Sequence, residues 1–420
     1  MTVRAILIVM ALAAGLVGAL GDGCALAAGS ASARPAAGDH FPIATDVRVG
    51  GDARQTRFVM DFSEKVELAT FTLADPYRVV VDLPQVVFKL SPKAGEHGRG
   101  LIKAFRYGLI MRGGSRIVLD TEGPVRIGKA FMLAPSDGQP ARLVVDLAPT
   151  DRQSFLHEMA LAPRVPRTSP KESVSAEKES ATDQRPLIVI DPGHGGIDSG
   201  TKSGSGQNEK DVVLGFGLLL RDKLMKTGKY RVAMTRSDDT FVPLNDRVRF
   251  ARARKASLFI SIHADSIPRS EGQAEGATVY TLSEHASDAE AARLADAENK
   301  SDAIAGVDLT SQPDDVATIL IDLAQRETKT FSMQFAHLLV SEFKSTTRLH
   351  QHPLKSAGFI VLKAPDVPSV LVELGYMSTK DDMQHLMSPA WRARTADSLV
   401  SAVDAFFAPR LAGRALRGSN

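Results

Sequence analysis

Hydrophobic patterning divides the chain into two folded regions of different kinds. Residues 40–150 contain short apolar runs between Gly, Pro, Asp and Ser, with almost no helical period, which is typical of strands and turns. Residues 186–410 alternate short apolar runs with longer segments of helical period. This alternation predicts an α/β domain with a mostly parallel sheet covered by helices on both faces, preceded by a small all-β sandwich domain.

The same patterning predicts the elements of the second region. Strands are expected at 187–190, 230–235, 258–262, 278–280, 359–362 and 369–372. Helices are expected at 210–226, 244–253, 286–299, 315–343, 381–387 and 390–407. His350 and His352 are expected in a loop, and Trp391 is expected in the core.

The first region contains an internal repeat. TRFVMD at 56–61 corresponds to SRIVLD at 115–120, and DPYRVVVDLP at 75–84 corresponds to QPARLVVDLA at 139–148. Two copies of one strand unit predict two similar small sheets packed face to face. The region shows no histidine cluster or nucleophile arrangement, so a binding or targeting module is favoured over an enzyme.

The N-terminal residues have the pattern of an export signal. Arg4 precedes an uncharged apolar run at 5–20, and CALAA at 24–28 offers small residues for cleavage. This predicts a signal peptide at 1–28 and a periplasmic protein, with an uncleaved anchor as the alternative. Cys24, the only cysteine, would leave with the signal, which excludes cysteine ligands for a metal.

Composition adds two further expectations. Residues 162–185 lack aromatic residues and are rich in Ser, Thr, Lys, Glu and Pro, so residues 151–185 are predicted to form a flexible linker. The chain is 44% hydrophobic and 24% charged, as in ordinary globular proteins, and its net charge of +2 gives no indication of a nucleic-acid partner.

Candidate catalytic side chains stand at the ends of the predicted strands. His194 follows strand 187–190 in DPGHGG, while His263 and Glu373 directly follow their own strands. Glu209 lies just ahead of a helix start. If the strands are parallel, all four side chains meet at one edge of the sheet, where ligands collect in open α/β folds.

Two imidazoles and a carboxylate are a normal ligand set for catalytic zinc, with water in the fourth position. A further carboxylate would then take and return a proton, and Glu373 after its apolar strand suits that role.

Each of these residues also has a simpler interpretation. Glu209 is a favourable acid for the first turn of a helix, His263 is compatible with a core histidine, and Glu373 with a salt bridge.

The motifs DPGHGG at 191–196, NEK at 208–210, SIHAD at 261–265 and VELGY at 372–376 resemble, in order, those of the zinc-dependent N-acetylmuramoyl-L-alanine amidases of bacterial cell division. The repeat resembles the AMIN domain found ahead of such enzymes. The resemblance implies Zn²⁺ bound by His194, Glu209 and His263, with Glu373 as the catalytic glutamate. It implies hydrolysis of the amide between N-acetylmuramic acid and L-alanine in peptidoglycan, for septal wall splitting, and an N-terminal domain that binds peptidoglycan or a septal partner.

One departure from the family pattern is GYMST at 375–379, which lies downstream of the catalytic glutamate and leaves the chemistry intact.

An insert near 281–315 is rich in Ala, Asp and Glu and is longer than a simple connection requires. This insert is compatible with a helical segment exposed to solvent. The resemblance implies more, namely a regulatory helix whose carboxylate fills the open position of the zinc until a LytM-type activator displaces it. Glu290 is the first candidate for this plug, followed by Glu284 and Glu298.

The sequence thus predicts an exported zinc amidase whose catalytic domain spans 186–410, acting as a monomer with no stable membrane insertion after signal cleavage. Two alternatives stay open. One is a peptidoglycan-binding protein with an inactive amidase domain, and the other is a zinc peptidase that acts on the stem peptide.

Overall fold

The computed structural model describes residues 41–91, 93–111, 113–136, 138–161, 183–267, 274–305 and 320–417. The predicted signal peptide at 1–28 lies outside the described residues, as do residues 162–182 of the predicted linker and 306–315 of the predicted insert. Within the described residues, no helix combines the length and the apolar character needed to cross a membrane.

The N-terminal domain is a sandwich of two sheets, as predicted. One sheet has the strand order β5-β1-β2-β9-β8 and the other β3-β4-β7-β6, and their inner faces share one apolar core. Strands β1 to β9 cover, in chain order, Ile43–Gly51, Thr56–Phe62, Ala69–Leu73, Arg78–Pro84, Val87–Phe88, Ile102–Met111, Gly114–Thr121, Val125–Leu133 and Ala141–Pro149.

The two copies of the repeat exchange strands between the sheets. The first copy supplies β2 and β4, and the second supplies β7 and β9. β2 pairs with β9, and β4 pairs with β7. Reciprocal ion pairs accompany this exchange: Arg57 contacts Asp146 at 2.7 Å, and its repeat equivalent Arg116 contacts Asp82 at 2.6 Å. Each sheet therefore contains a strand from each copy.

The second domain contains a sheet with the order β11-β10-β12-β15-β13-β14. β10, β11, β12 and β15 are mutually parallel, whereas β13 runs antiparallel to β15 and parallel to β14. The predicted mostly parallel sheet is confirmed. Strands β10 to β15 cover Leu187–Pro192, Arg231–Met234, Leu258–His263, Ala277–Leu282, Leu349–Ala357 and Ser369–Glu373.

Helices cover both faces of this sheet. One core lies between the sheet and α2, α6 and α8, and the other lies between the sheet and α3 and α4. Trp391 is buried in the first core, which confirms its predicted place. Helices α1 to α8 cover Arg152–Leu161, Glu209–Lys226, Leu244–Ala253, Ala289–Glu298, Ser301–Ile304, Leu320–Phe343, Lys380–Met387 and Pro389–Arg417.

Three local predictions differ from the structure. The strand predicted at 359–362 is wrong: Ile360–Leu362 is a 3-10 helix, and its residues are apolar because they pack in the core beside α3. β14, with His350 and His352, was missed because an edge strand with polar residues and a proline lacks strand patterning. α1 occupies the start of the predicted linker, where Phe155 packs against Tyr77.

Candidate metal centre and active site

The candidate site lies at the carboxyl ends of three adjacent parallel strands. His194 follows β10, His263 ends β12 and Glu373 ends β15, with His263 and Glu373 in direct register. Glu209, the first residue of α2, enters the same edge. Its Oε2 lies 3.1 Å from His194 Nε2, and its Oε1 lies 3.3 Å from His263 Nδ1. The structure therefore brings together the four residues singled out from the sequence.

Glycines make room for the two imidazoles. A Cβ on Gly193 would lie 2.3 Å from Cε1 of His263. A Cβ on Gly200 would lie 2.7 Å from both Glu209 Oε2 and His194 Cδ2. Because these contacts are far shorter than van der Waals distance, the side chains can converge only where the loop carries no side chain of its own.

A buried ion pair holds the loop that carries His194. Asp191 is fully buried and accepts hydrogen bonds from Arg247 at 2.8 Å, Thr235 at 2.5 Å and Ser261 at 2.7 Å. Burial alone would raise the pKa of Asp191, but these donors lower it below its usual value. Arg247 also donates to the carbonyl of His194 at 2.8 Å, so the arginine joins the end of β10 to the candidate ligand.

Asp198 orients the His194 ring. Its Oδ2 lies 2.9 Å from His194 Nδ1, so that nitrogen donates its proton and Nε2 presents a lone pair to the centre. His194 Nε2 and His263 Nδ1 are both buried and make no hydrogen bond within the described structure. Two convergent imidazole nitrogens without a hydrogen-bond partner fit the coordination of a metal ion.

The charge balance of the site also fits a cation. Burial alone would lower the pKa of His194, but the carboxylates of Glu209, Asp198 and Glu298 raise it well above its usual value. Burial would raise the pKa of Glu209, yet the two imidazoles lower it well below its usual value. Buried charges need compensation, and a bound divalent ion supplies it among several carboxylates.

Glu298, from the end of α4, is a further carboxylate at this centre. Its Oε2 lies 3.4 Å from His263 Nδ1 and 3.7 Å from His194 Nε2. The ligand atoms of these three buried residues lie within 4.8 Å of one another, which makes them a group able to hold a metal ion. Glu298, one of the three candidates for a plug, therefore lies beside both candidate histidine ligands.

The structure places Glu290, the first candidate for that plug, at the opposite end of α4. Its carboxylate lies 2.9 Å from Lys355 Nζ and accepts a hydrogen bond from the Tyr376 hydroxyl at 3.3 Å. Eight residues separate it from Glu298, or about 12 Å along a helix. Glu284, another candidate, is exposed ahead of α4. Of the three candidates, Glu298 is the one whose carboxylate lies beside both imidazoles.

Two features of the sequence mark Glu298 and Asp198, which lie outside the four motifs. Glu298 continues the buried stripe of Ala291, Leu294 and Ala295 at helical spacing, a position at which an apolar residue is expected. Asp198 follows His194 by four residues in the same glycine-rich loop. A role at the site is indicated for Glu298 because it is a carboxylate on an apolar stripe. The same role is indicated for Asp198 because it is an acid four residues after a candidate ligand.

Glu373 is fully buried beside the candidate ligands. Its Oε2 accepts a hydrogen bond from the Asp265 amide at 3.0 Å, and its Oε1 has no hydrogen-bond partner within the described structure. Burial, together with the nearby carboxylates of Glu209 and Asp265, raises the pKa of Glu373 well above its usual value. A carboxyl with a raised pKa suits proton transfer near neutral pH.

Comparison with known proteins agrees with this geometry. The family model described as N-acetylmuramoyl-L-alanine amidase matches residues 188–405, and the AMIN domain model matches residues 46–147. The chain belongs to the N-acetylmuramoyl-L-alanine amidase family. Within the family it is of the AmiC type, with an N-terminal AMIN domain, and the resemblance drawn from the sequence motifs is confirmed.

Similarity to AmiC amidases extends over both domains. The chain is 33% identical to N-acetylmuramoyl-L-alanine amidase AmiC of Escherichia coli O6:H1 (strain CFT073), over 86% of this chain and 89% of the relative. It is 34% identical to AmiC of Neisseria meningitidis serogroup B (strain MC58), over 87% of this chain and 90% of the relative. AmiA of Escherichia coli (strain K12) is 37% identical over 56% of this chain and 80% of its own length.

Proposed function

We propose that this chain hydrolyses the amide between N-acetylmuramic acid and the L-alanine of peptidoglycan stem peptides, with Zn²⁺ held by His194, Glu209 and His263. One observation carries the proposal: in a chain of this family, two imidazole nitrogens that make no hydrogen bond in the described structure converge with a buried carboxylate beside Glu373. Zinc bound there would lower the pKa of its water to about 7 and polarise the scissile carbonyl.

The surrounding residues transfer the proton and orient the proposed zinc ligands. Oε1 of Glu373 takes a proton from the attacking water and returns it to the leaving L-alanine amine, because Oε2 is already occupied by the Asp265 amide. Asp198 holds the proton of the neutral His194 ring on Nδ1, so Nε2 is the nitrogen that would bind zinc. The amides of Ala264 and Thr201 donate to Glu209 at 2.9 and 3.0 Å and hold its carboxylate toward the imidazoles.

We further propose that Glu298 inhibits the enzyme by filling the position that substrate and water need. α4 is held at both ends in this arrangement. Glu290 pairs with Lys355 at its start, and Asn299 after its end donates to the Gly358 carbonyl at 3.0 Å. A LytM-type activator would act by moving α4 away from the site. Such control suits an exported, monomeric periplasmic enzyme that splits the septal wall for daughter-cell separation.

Digestion of purified peptidoglycan, followed by identification of the new end groups, tests the proposed activity. The Glu298→Ala variant is used beside the unchanged chain, because it needs no activator under this proposal. A free L-alanine amine together with intact sugar supports the amidase. A cut within the stem peptide would indicate a zinc peptidase, and the absence of product from the zinc-loaded variant would indicate a wall-binding protein.

A further inference from the structure

The N-terminal domain contacts the catalytic domain next to the metal-binding loop. The amide of Ile197, three residues beyond His194, donates to the Leu109 carbonyl on β6 at 3.1 Å. A Cβ on Gly108 of β6 would lie 2.5 Å from that same amide nitrogen, so the two backbones touch directly. Lys202 and Glu96 add an ion pair at 3.0 Å between the domains. The edge strand β6 is thus hydrogen-bonded to the loop that carries His194.

The outer face of the β4–β7 sheet is also covered by the catalytic domain. Val79 and Val81 point into the sandwich core, whereas Val80 points to the opposite face and is still fully buried. The buried side chains around Val80 come from both domains, and they are Leu73, Val118, Ile197, Phe241 and Ala305. An outer sheet face this well buried indicates a specific interface between the two domains.

Two arginines on this face reach the segment that follows α4. Arg78 donates through Nη1 to the Ala303 carbonyl, and Arg116 donates through Nη1 to the Ala305 carbonyl at 3.2 Å. The Arg116 guanidinium is held in place because its Nε and Nη2 bind Asp82 at 2.6 and 2.9 Å. Arg78 is itself buried. Both contacts lie within seven residues of Glu298 along the chain.

We propose that the N-terminal domain acts as an inhibitory clamp on the catalytic domain of its own chain. Arg78 and Arg116 hold residues 301–305, and this keeps Glu298 at the metal centre. The proposal rests on the proposed amidase function and adds the N-terminal domain to its control. The physical reason is direct: α4 cannot leave the site unless the following segment moves, and that movement breaks two charged hydrogen bonds in a buried interface.

The repeat supplies matched controls within the same domain. Arg142 is the repeat equivalent of Arg78, and Arg57 is the equivalent of Arg116. Arg57 binds Asp146 as Arg116 binds Asp82. In the described structure, neither Arg57 nor Arg142 has a hydrogen bond or ion pair with the catalytic domain. Replacing this pair removes two arginines at equivalent repeat positions, together with one matched Arg–Asp ion pair, without touching residues 301–305.

The test compares full-length, zinc-loaded Arg78→Ala/Arg116→Ala with Arg57→Ala/Arg142→Ala and the unchanged chain. Amide hydrogen exchange over residues 289–305 and peptidoglycan hydrolysis without activator are measured for each protein. The clamp variant is expected to exchange faster over this segment and to hydrolyse about tenfold faster, while the control pair stays at the unchanged level. If either quantity in the clamp variant equals that of the control pair, the clamp is overturned.

Glu298→Ala serves as the reference for an enzyme without the plug. If it also fails to hydrolyse the wall, the proposed amidase function fails, and the exchange comparison alone then decides whether the clamp exists. If Arg78→Ala/Arg116→Ala does not fold, Arg116→Ala alone replaces it, because this variant keeps the buried Arg78, and Arg57→Ala is its control. Faster exchange over residues 289–305 in Arg116→Ala than in Arg57→Ala supports the clamp, and equal exchange overturns it.

Discussion

At the scale of single residues, the candidate site depends on which atom of each side chain is already occupied. Asp198 occupies Nδ1 of His194, and the Asp265 amide occupies Oε2 of Glu373. These contacts leave Nε2 of the histidine and Oε1 of the glutamate available for chemistry. Each catalytic role proposed above therefore belongs to one named atom, and substitutions that preserve shape but change that atom are informative.

Glu373→Gln is expected to reduce hydrolysis about 10²–10⁴-fold, because an amide cannot take a proton from water or return it. Bound zinc is expected to stay unchanged, since Glu373 is not among the proposed ligands. Activity on peptidoglycan and zinc content of the same preparation check both parts. Loss of the metal together with the activity would show that Glu373 is a ligand instead.

Asp198→Asn is expected to weaken zinc binding about 10–100-fold, because the His194 ring loses the carboxylate that fixes its tautomer. Competition with a chelator measures the affinity. Asp239→Asn is the matched control, since Asp239 accepts from the Gly196 amide at 2.8 Å in the same loop and does not contact the histidine. Equal affinities in the two variants would contradict the proposed orienting role.

At the scale of elements, α4 both packs on the sheet and carries a carboxylate to the candidate site. Ala291, Leu294 and Ala295 pack it on the sheet, and the same stripe delivers Glu298 to the imidazoles. The Asp288 side chain caps its first turn by accepting from the Ala291 amide. A helix fixed by packing and capping can hold a carboxylate at one position, as the proposed inhibition by Glu298 requires.

Glu298→Ala is expected to raise peptidoglycan hydrolysis without activator by on the order of tenfold or more, because the inhibited arrangement loses the contact that favours it. Glu284→Ala is the control, since Glu284 is exposed ahead of α4 and is expected to leave the rate unchanged. Rates of release of soluble wall fragments provide the measurement. A Glu298→Ala rate equal to that of the control would contradict the plug.

At the scale of the whole molecule, charged networks join segments that lie far apart in the chain. Arg247 on α3 binds the buried Asp191 of β10 and the His194 carbonyl, so the sheet, a helix and the candidate metal loop share one side chain. The sandwich domain reaches the same loop through β6 and the Ile197 amide. Stability and the geometry of the site are therefore coupled across the molecule.

Arg247→Ala is expected to lower the free energy of unfolding by about 3–5 kcal/mol, because it leaves the Asp191 carboxylate buried without its partner. Arg249→Ala, at an exposed arginine of the same helix, is expected to change it by less than about 0.5 kcal/mol. Denaturant unfolding of both variants measures the difference. Similar stabilities would mean that Thr235 and Ser261 satisfy Asp191 without the arginine.

Local features of this protein could be predicted from its amino-acid sequence alone. Apolar runs and their spacing predicted the α/β sheet. The positions of His194, His263 and Glu373 after three strands predicted that they meet at one edge, because the carboxyl ends of parallel strands lie at the same edge of a sheet. The tertiary structure was needed to place Glu298 rather than Glu290 beside the imidazoles, since the two residues lie at opposite ends of one helix and its packing decides which end faces the site. It also decided the exchange of strands between repeat copies and the contacts of Arg78 and Arg116. These features depend on pairings between distant segments, which hydrophobic period does not encode.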